Sequence, residues 1–323
     1  MCLPLRVLAL ALAFGACSSD DPTRGVDRLR IGTWNLEHFG SRKPARSSAD
    51  FARIAALIAS LEIDVLAIQE VNGPVPLQRL VRHLDSEYDF ALGSTGGIDK
   101  GRISVGFLWN RRRARLLQCE EMRDLPAEAG GLPIFHRNPV NAVFQSLDGT
   151  TPGLDLRAIA VHLKAGSDPD DRAKRRAEAE SLRTYVADLR ADENEDRDIV
   201  VLGDFNHTYD APAHRTLRDG GMVHYLEAGA DPTLIHYDAP IDHIAVTPEL
   251  NESVIAGTFQ VHNDQVPYGT PSAELLVSSK NRWRRAYSDH FPVTLDLTAE
   301  VDRDPSASFR APKHSLKPGR HDD

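Results

Sequence analysis

Residues Val200-Val201-Leu202-Gly203-Asp204-Phe205-Asn206 run an apolar strand into a tight turn that presents a carboxylate and a carboxamide two positions apart. Strand alternation puts the two on the same side. Such a pair suits attack on phosphorus, because the carboxylate can orient or deprotonate a water and the amide can hold an oxygen without adding negative charge. Gly, Asp and Asn also make plain turns, so the pair gains meaning from its company. Ser288-Asp289-His290-Phe291-Pro292-Val293 sets a polar triplet directly before a strand, and Ile241-Asp242-His243-Ile244 sends another carboxylate into one. A carboxylate that accepts from one imidazole nitrogen fixes the tautomer and stabilises the charged ring. Asp242 with His290 is therefore the candidate dyad, and His243 reads as its surface neighbour.

Thr33-Trp34-Asn35-Leu36 and Ile68-Gln69-Glu70 each place an oxygen ligand at the end of an apolar strand. Hard Mg²⁺ takes such oxygens while keeping several waters. Val161-His162-Leu163-Lys164 ends a further strand with a second histidine, and Lys164 is a candidate substrate contact.

These side chains need strand ends to hold them. Leu29 to Leu36 alternates as a strand, Ser47 or Ser48 can cap a helix carrying Phe51, Ile54, Ala55, Leu57, Ile58 and Leu61, and the buried run Val65 to Ile68 follows. A short helix is expected from Pro76 to Leu84. Strands near Ile103–Trp109, Arg115–Cys119, Val140–Leu147 and Leu156–Leu163 read as an antiparallel meander. Asp170 to Arg190 patterns as an amphipathic helix, and further strands fit Ile199–Leu202, Ile241–Thr247, Val254–Val261 and Phe291–Leu297. Mixed helices and strands without strict alternation imply one α+β layered sandwich.

The 323 residues, 41% hydrophobic and 26% charged, fit a globular chain. A net charge of -9 argues against a chain-wide polyanion surface and leaves room only for a local basic groove. Arg6 followed by the short apolar run Val7 to Ala16 reads as an export signal, too short to span a bilayer. Phe14-Gly15-Ala16-Cys17 resembles a bacterial lipobox, with Phe14 in place of the usual leucine. Residues 1–16 would then be a signal peptide and 17–28 a linker lipidated at Cys17, with Ser18 and Ser19 favouring the outer membrane, facing the periplasm or the surface; simple secretion is the alternative. Since Cys2 lies in the signal and Cys17 would carry lipid, Cys119 remains as a small core residue. The catalytic domain is expected over 29–300, and 301–323, rich in Pro, Ser and charge, is expected to be disordered.

In their order and spread over about 255 residues, Asn35, Glu70, His162, Asp204 with Asn206, Asp242 and Asp289-His290 resemble the endonuclease/exonuclease/phosphatase superfamily, which includes deoxyribonuclease I, exonuclease III, neutral sphingomyelinases and inositol polyphosphate phosphatases. The resemblance implies a four-layer α/β/β/α sandwich of two packed mixed sheets, with the site at one end. It implies Mg²⁺ or Mn²⁺ on Glu70, supported by Asn35 and Asp289, a water positioned by Asp204 and Asn206, and proton transfer assisted by His290 and His162. Phe135-His136-Arg137-Asn138-Pro139 is similar to a deoxyribonuclease segment that contacts phosphate, which makes Arg137 a substrate ligand. One departure matters: deoxyribonuclease I has an acid on a middle strand to orient its first histidine, whereas Gly101-Arg102-Ile103-Ser104-Val105-Gly106 offers none. His162 should therefore play a weaker part, with Arg102 a further phosphate contact.

The substrate expected on this reading is DNA or RNA, hydrolysed by a monomer. Arg282-Trp283-Arg284-Arg285 offers charge and a stacking surface, and 262–280 reads as a substrate-shaping lid or an inert excursion. A sphingomyelinase-like phosphodiesterase or a phosphomonoesterase is the alternative, and Ala239-Pro240-Ile241-Asp242-His243 lacks the Pro-Ala-Trp-Cys-Asp-Arg pattern of the inositol phosphatases. A lipoprotein that only binds a partner would not need the complete acid, amide and histidine set.

Overall fold

Ser47 opens the first helix with a reciprocal cap: its hydroxyl accepts from the Asp50 N–H, and the Asp50 carboxylate accepts from the Ser47 N–H at 2.8 Å. Such a box satisfies two backbone donors that a helix start leaves open, worth about 1 kcal/mol. The computed structural model describes residues 28–41, 45–84, 87–94, 103–125, 128–129, 132–133, 135–147, 152–226, 230–263, 273–299, 302 and 308–319. In chain order the elements begin with β1 (Arg28–Phe39), α1 (Ser48–Ser60), β2 (Val65–Val71), α2 (Pro74–Val81), β3 (Tyr88–Leu92), β4 (Ser104–Asn110) and β5 (Ala114–Glu121). A small hairpin, β6 (Glu128–Ala129) with β7 (Leu132–Pro133), precedes β8 (Val140–Leu147), β9 (Pro152–His162), α3 (Pro169–Ala191) and β10 (Ile199–Asp204). The chain continues through α4 (Pro212–Asp219), β11 (Val223–His224), β12 (Asp242–Val246), α5 (Pro248–Asn251), β13 (Gln260–Val261), α6 (Ala273–Ala286) and β14 (Val293–Thr298).

Two six-stranded mixed sheets result, ordered β13-β14-β1-β2-β4-β3 and β11-β12-β10-β9-β8-β5. In the first, β1 runs parallel to β2 through the α1 crossover and antiparallel to β14. In the second, β10 lies parallel to β9 and antiparallel to β12. Side-chain alternation divides the second sheet's two faces. Ala158, Ala160, Val200, Leu202, Ile244 and Val246 join the core shared with the first sheet and α1, whereas Ile159, Val161, Ile199, Val201 and Ala245 join the cluster under α3 and α4. Each of the valine, leucine and isoleucine side chains among these contributes roughly 1.5–3 kcal/mol on burial, and each alanine less. The sandwich is thus helix, sheet, sheet, helix, as expected from the sequence.

Several local expectations are corrected. The strands expected at Ile103–Trp109 and Arg115–Cys119 do not belong to one meander, since β4 pairs with β2 and β3 while β5 pairs with β8 in the other sheet. Val254–Val261 forms a strand only at β13, because Ile255 and Thr258 belong to turns and Val254 makes a single bridge to Leu297. Arg282 to Arg285, given no element from sequence, lie on α6. The C-terminal segment, expected to be disordered, is bonded over 308–319: Ser308 bridges Glu195, the Leu316 N–H donates to the Cys119 carbonyl at 2.8 Å, and the Gly319 N–H donates to that of Phe90 at 2.7 Å. The unpaired edge of β5 supplied acceptors that composition alone does not reveal.

Candidate active site

Asp204, His162 and Asp242 continue the inward-facing series of β10, β9 and β12, and register makes them neighbours: Asp204 stands opposite His162 on one side and Asp242 on the other. Asn35 comes from β1 in the first sheet, and its amide nitrogen donates to Asp204 Oδ2 at 3.0 Å and to Glu70 Oε1 at 3.2 Å. The site therefore straddles the gap between the sheets. His162 Nε2 lies 3.5 Å from Asp204 Oδ2 and 3.9 Å from Glu70 Oε1. His290 Nε2 lies 3.9 Å from both Asp204 Oδ2 and Asp289 Oδ1.

The two histidines are treated differently. His290 Nδ1 and Asp242 Oδ2 share a hydrogen bond of 2.7 Å in full burial. Burial works against the imidazolium, yet the Asp242 charge and hydrogen bond, helped by Asp204 and Asp289, raise His290 to about 10. His162 has no such support. Its Nδ1 is buried without a hydrogen-bond partner among the described residues, and burial, reinforced by the Arg137 guanidinium, holds it well below the usual histidine range. Asp204 is raised to about 7, first by burial and then by the Asp242 charge, against the opposing help of His290, the Asn35 amide and the Asn206 N–H.

Backbone strain marks the same ground. Glu37, His38, Glu70 and Asn206 have φ of 46°, 46°, 60° and 51°, a region that non-glycine residues seldom occupy. The Asn206 turn is closed by its N–H on Asp204 Oδ1 at 2.8 Å and by its amide nitrogen on the Leu163 carbonyl at 3.0 Å. Asn35 Oδ1 accepts from the Glu37 N–H at 3.0 Å, and the His38 N–H donates to Glu70 Oε2 at 2.9 Å. The bent end of β1 thus fixes Asn35 and Glu70 together.

Most of the site expected from sequence comes together: Asn35, Glu70, His162, Asp204, Asn206, Asp242, Asp289 and His290 form one continuous group. Arg137 is partly buried beside His162 and acts on it electrostatically. Lys164 departs from the expectation, because its amine is held by the Asp171 carboxylate at 2.9 Å and by the Ala165 carbonyl. Arg102 and Cys17 lie outside the described residues. Trp283 proves to be a core residue packed at a tilt against Tyr287 and Phe291, and Arg284 pairs with Glu37 at 2.5 Å and with Asp289 at 3.4 Å. Cys119 is buried, and burial pushes its thiol up to about 12, as suits a core residue.

Sequence reasoning missed the supports. The Trp34 indole N–H donates to the His290 carbonyl at 3.0 Å, and the Ser288 hydroxyl donates to the Asn35 carbonyl at 2.6 Å while accepting from the His290 N–H at 3.1 Å. Both flank residues already singled out, but nothing local says that positions 34 and 290 meet.

Residues 32–290 match the model of the "Endonuclease/Exonuclease/phosphatase family". The chain belongs to that family. Among its relatives, mouse "Deoxyribonuclease-1-like 2" is 28% identical over 283 residues, covering 83% of this chain and 91% of the relative. A "Deoxyribonuclease" of Thioalkalivibrio is 29% identical over 194 residues, 57% of this chain and 48% of its own length. A family protein from Bacteroides thetaiotaomicron has the same fold, with a TM-score of 0.58 at 17% identity over 85% of this chain and 99% of that one. Membership makes this chain a phosphoesterase-type hydrolase of the nuclease and phosphatase family.

Proposed function

We propose that this chain is a divalent-metal-dependent phosphodiesterase that hydrolyses DNA by in-line attack of water. The observation that carries the mechanism is the pair of unlike histidines flanking Asp204, a cationic His290 and a neutral His162 at 3.9 and 3.5 Å. Groups whose environments drive their proton affinities apart divide into acid and base. Asp204, raised by burial to about 7, takes the proton of the attacking water beside Asn206, and the neutral His162 assists by hydrogen-bonding the phosphoryl group. His290, held cationic by Asp242, donates a proton to the leaving ester oxygen as its bond to phosphorus breaks. Arg137 faces the non-bridging oxygens.

The donor set fits a hard cation. Glu70 and Asp289 offer carboxylate oxygens beside the buried Asp204, which burial and the Asp242 charge raise to about 7. Asn35 fits less simply: its amide nitrogen faces Glu70 and Asp204, and presenting its oxygen would forfeit the bond from the Glu37 N–H. Glu70 and Asp289 would hold Mg²⁺ or Mn²⁺, with Asn35 as their hydrogen-bonded support, and the ion would offset charge developing on the phosphoryl oxygens. DNA is preferred as substrate on the likeness to the two deoxyribonucleases.

The test is a substrate panel with purified protein: DNA, RNA, sphingomyelin and a simple phosphomonoester, each with Mg²⁺, Mn²⁺ or EDTA. Cleavage of DNA that stops in EDTA is expected. Turnover of the lipid or monoester with none of any nucleic acid would overturn the substrate assignment. We further propose export and lipidation at Cys17, on residues 1–17 alone. Metabolic labelling with a radioactive fatty acid should mark the chain and lose the mark in Cys17→Ala; equal labelling of both would refute it.

A further inference from the structure

Beneath the turn that carries Asp204 and Asn206 lies a group of histidines that the chemistry above does not use. His214 comes from α4, His224 from β11 and His243 from β12, and their exposures are 0%, 7% and 0%. One ring nitrogen from each lies within 4.8 Å of those of the other two. Phe205 walls the group, stacking on His214 at 4.9 Å and meeting His243 edge-on at 5.3 Å. His243 is thus no surface neighbour of Asp242.

The group is short of partners. Both ring nitrogens of His224, and Nδ1 of His214 and of His243, are buried without a hydrogen bond among the described residues. Each buried polar atom left in that state costs about 1–3 kcal/mol. An apolar filler would avoid the cost, so three imidazoles converging here call for a ligand. The tautomers agree. His214 Nε2 and His243 Nε2 approach the His207 carbonyl at 3.0 and 2.9 Å. A carbonyl only accepts, so His214 Nε2 carries the hydrogen and leaves its Nδ1 lone pair open, while the neutral His243 ring meets two carbonyls, of His207 and Pro240, and can donate to only one of them, leaving its other nitrogen a lone pair. Donation of the far N–H to a backbone carbonyl is how proteins orient metal-binding imidazoles. Burial holds His214 and His224 down at about 3, so both rings are neutral, the form that binds metal.

We propose that His214, His224 and His243 form a buried binding site for a zinc-class dication, separate from the oxygen-lined site at Glu70. Imidazole without carboxylate or thiolate selects zinc and its transition-metal neighbours over Mg²⁺. Zinc bonds of about 2.0–2.1 Å in tetrahedral array set nitrogens about 3.3 Å apart, so the rings need close by only about 1–1.5 Å. The ion would tie α4, β11 and β12 together behind the 204–207 turn.

The experiment uses the full chain, stripped with chelator and dialysed, and titrated with Zn²⁺ or Co²⁺ alone. Wild type and Glu70→Gln should each bind one equivalent tightly, gain on the order of 5 °C in Tm, and show with Co²⁺ the visible absorption of a four-coordinate ion. His224→Leu should lose all three responses. Because Glu70→Gln cripples the other site, failure of that site and failure of this one are distinguishable. If His224→Leu does not fold, His214→Gln takes its place. Undiminished binding in the histidine variant, or no four-coordinate cobalt spectrum and no Tm gain in wild type, would overturn the proposal.

Discussion

On β12, Asp242 looks into the gap between the sheets and His243 into the layer under α4, and the two sides handle imidazole in opposite ways. Toward the gap, a carboxylate 2.7 Å from His290 outweighs burial and keeps the ring charged. Toward the helices there are rings and carbonyls but no acid among the nearest partners, and burial keeps His243 neutral. One residue of strand alternation therefore separates a proton donor from a set of lone pairs. Depth of burial does not decide what a histidine does; the charge beside it does.

Breaking the charged side should have the largest effect. His290→Ala and Asp204→Ala are each expected to lower kcat by on the order of 10² or more, with circular dichroism and Tm near wild type; near-normal turnover in both would dismantle the site. His162 belongs to the gap yet lacks an orienting acid, so His162→Ala should cost less, on the order of 10-fold, in the same assay. A loss equal to that of His290→Ala would mean that orientation comes from elsewhere. The finest test moves a pH limb. His290 is active while protonated, so its contribution is present below its raised pKa and lost as pH rises through it. Asp242→Asn removes the charge that raises it, and the alkaline limb of kcat/KM should shift down by roughly 1–3 units. An unmoved limb would separate that limb from His290.

The candidate group was legible in sequence because its members stand at or beside the ends of apolar strands, which can be read locally: Val200 to Leu202 before Asp204, Ile68 before Glu70, Val161 before His162, Ile244 after Asp242, Val293 after His290. The two-sheet sandwich followed from the family resemblance more than from periodicity, which gave elements without pairing. What stayed hidden depends on distant partners. Lys164 looked available until Asp171, seven positions on, took its amine. Arg282 to Arg285 gave no helical signal because three arginines surround Trp283, the one buried anchor among those four. The C-terminal segment has no apolar period, yet the edge of β5 and the buried Glu195, which accepts from the Arg310 N–H at 2.8 Å, hold it. The histidine cluster escaped notice because its members sit at 214, 224 and 243 in contexts that individually say nothing.

β14, the last strand, lies between β13 and β1, hydrogen-bonded to the first strand of the chain from Arg28↔Thr298 to Thr33↔Val293. The residues just before it carry Asp289 and His290. A polypeptide that stops short of Asp289 thus lacks an interior strand of one sheet and His290 at once. Such a fragment is expected to show no turnover at all rather than a reduced rate, because the strand and His290 arrive together.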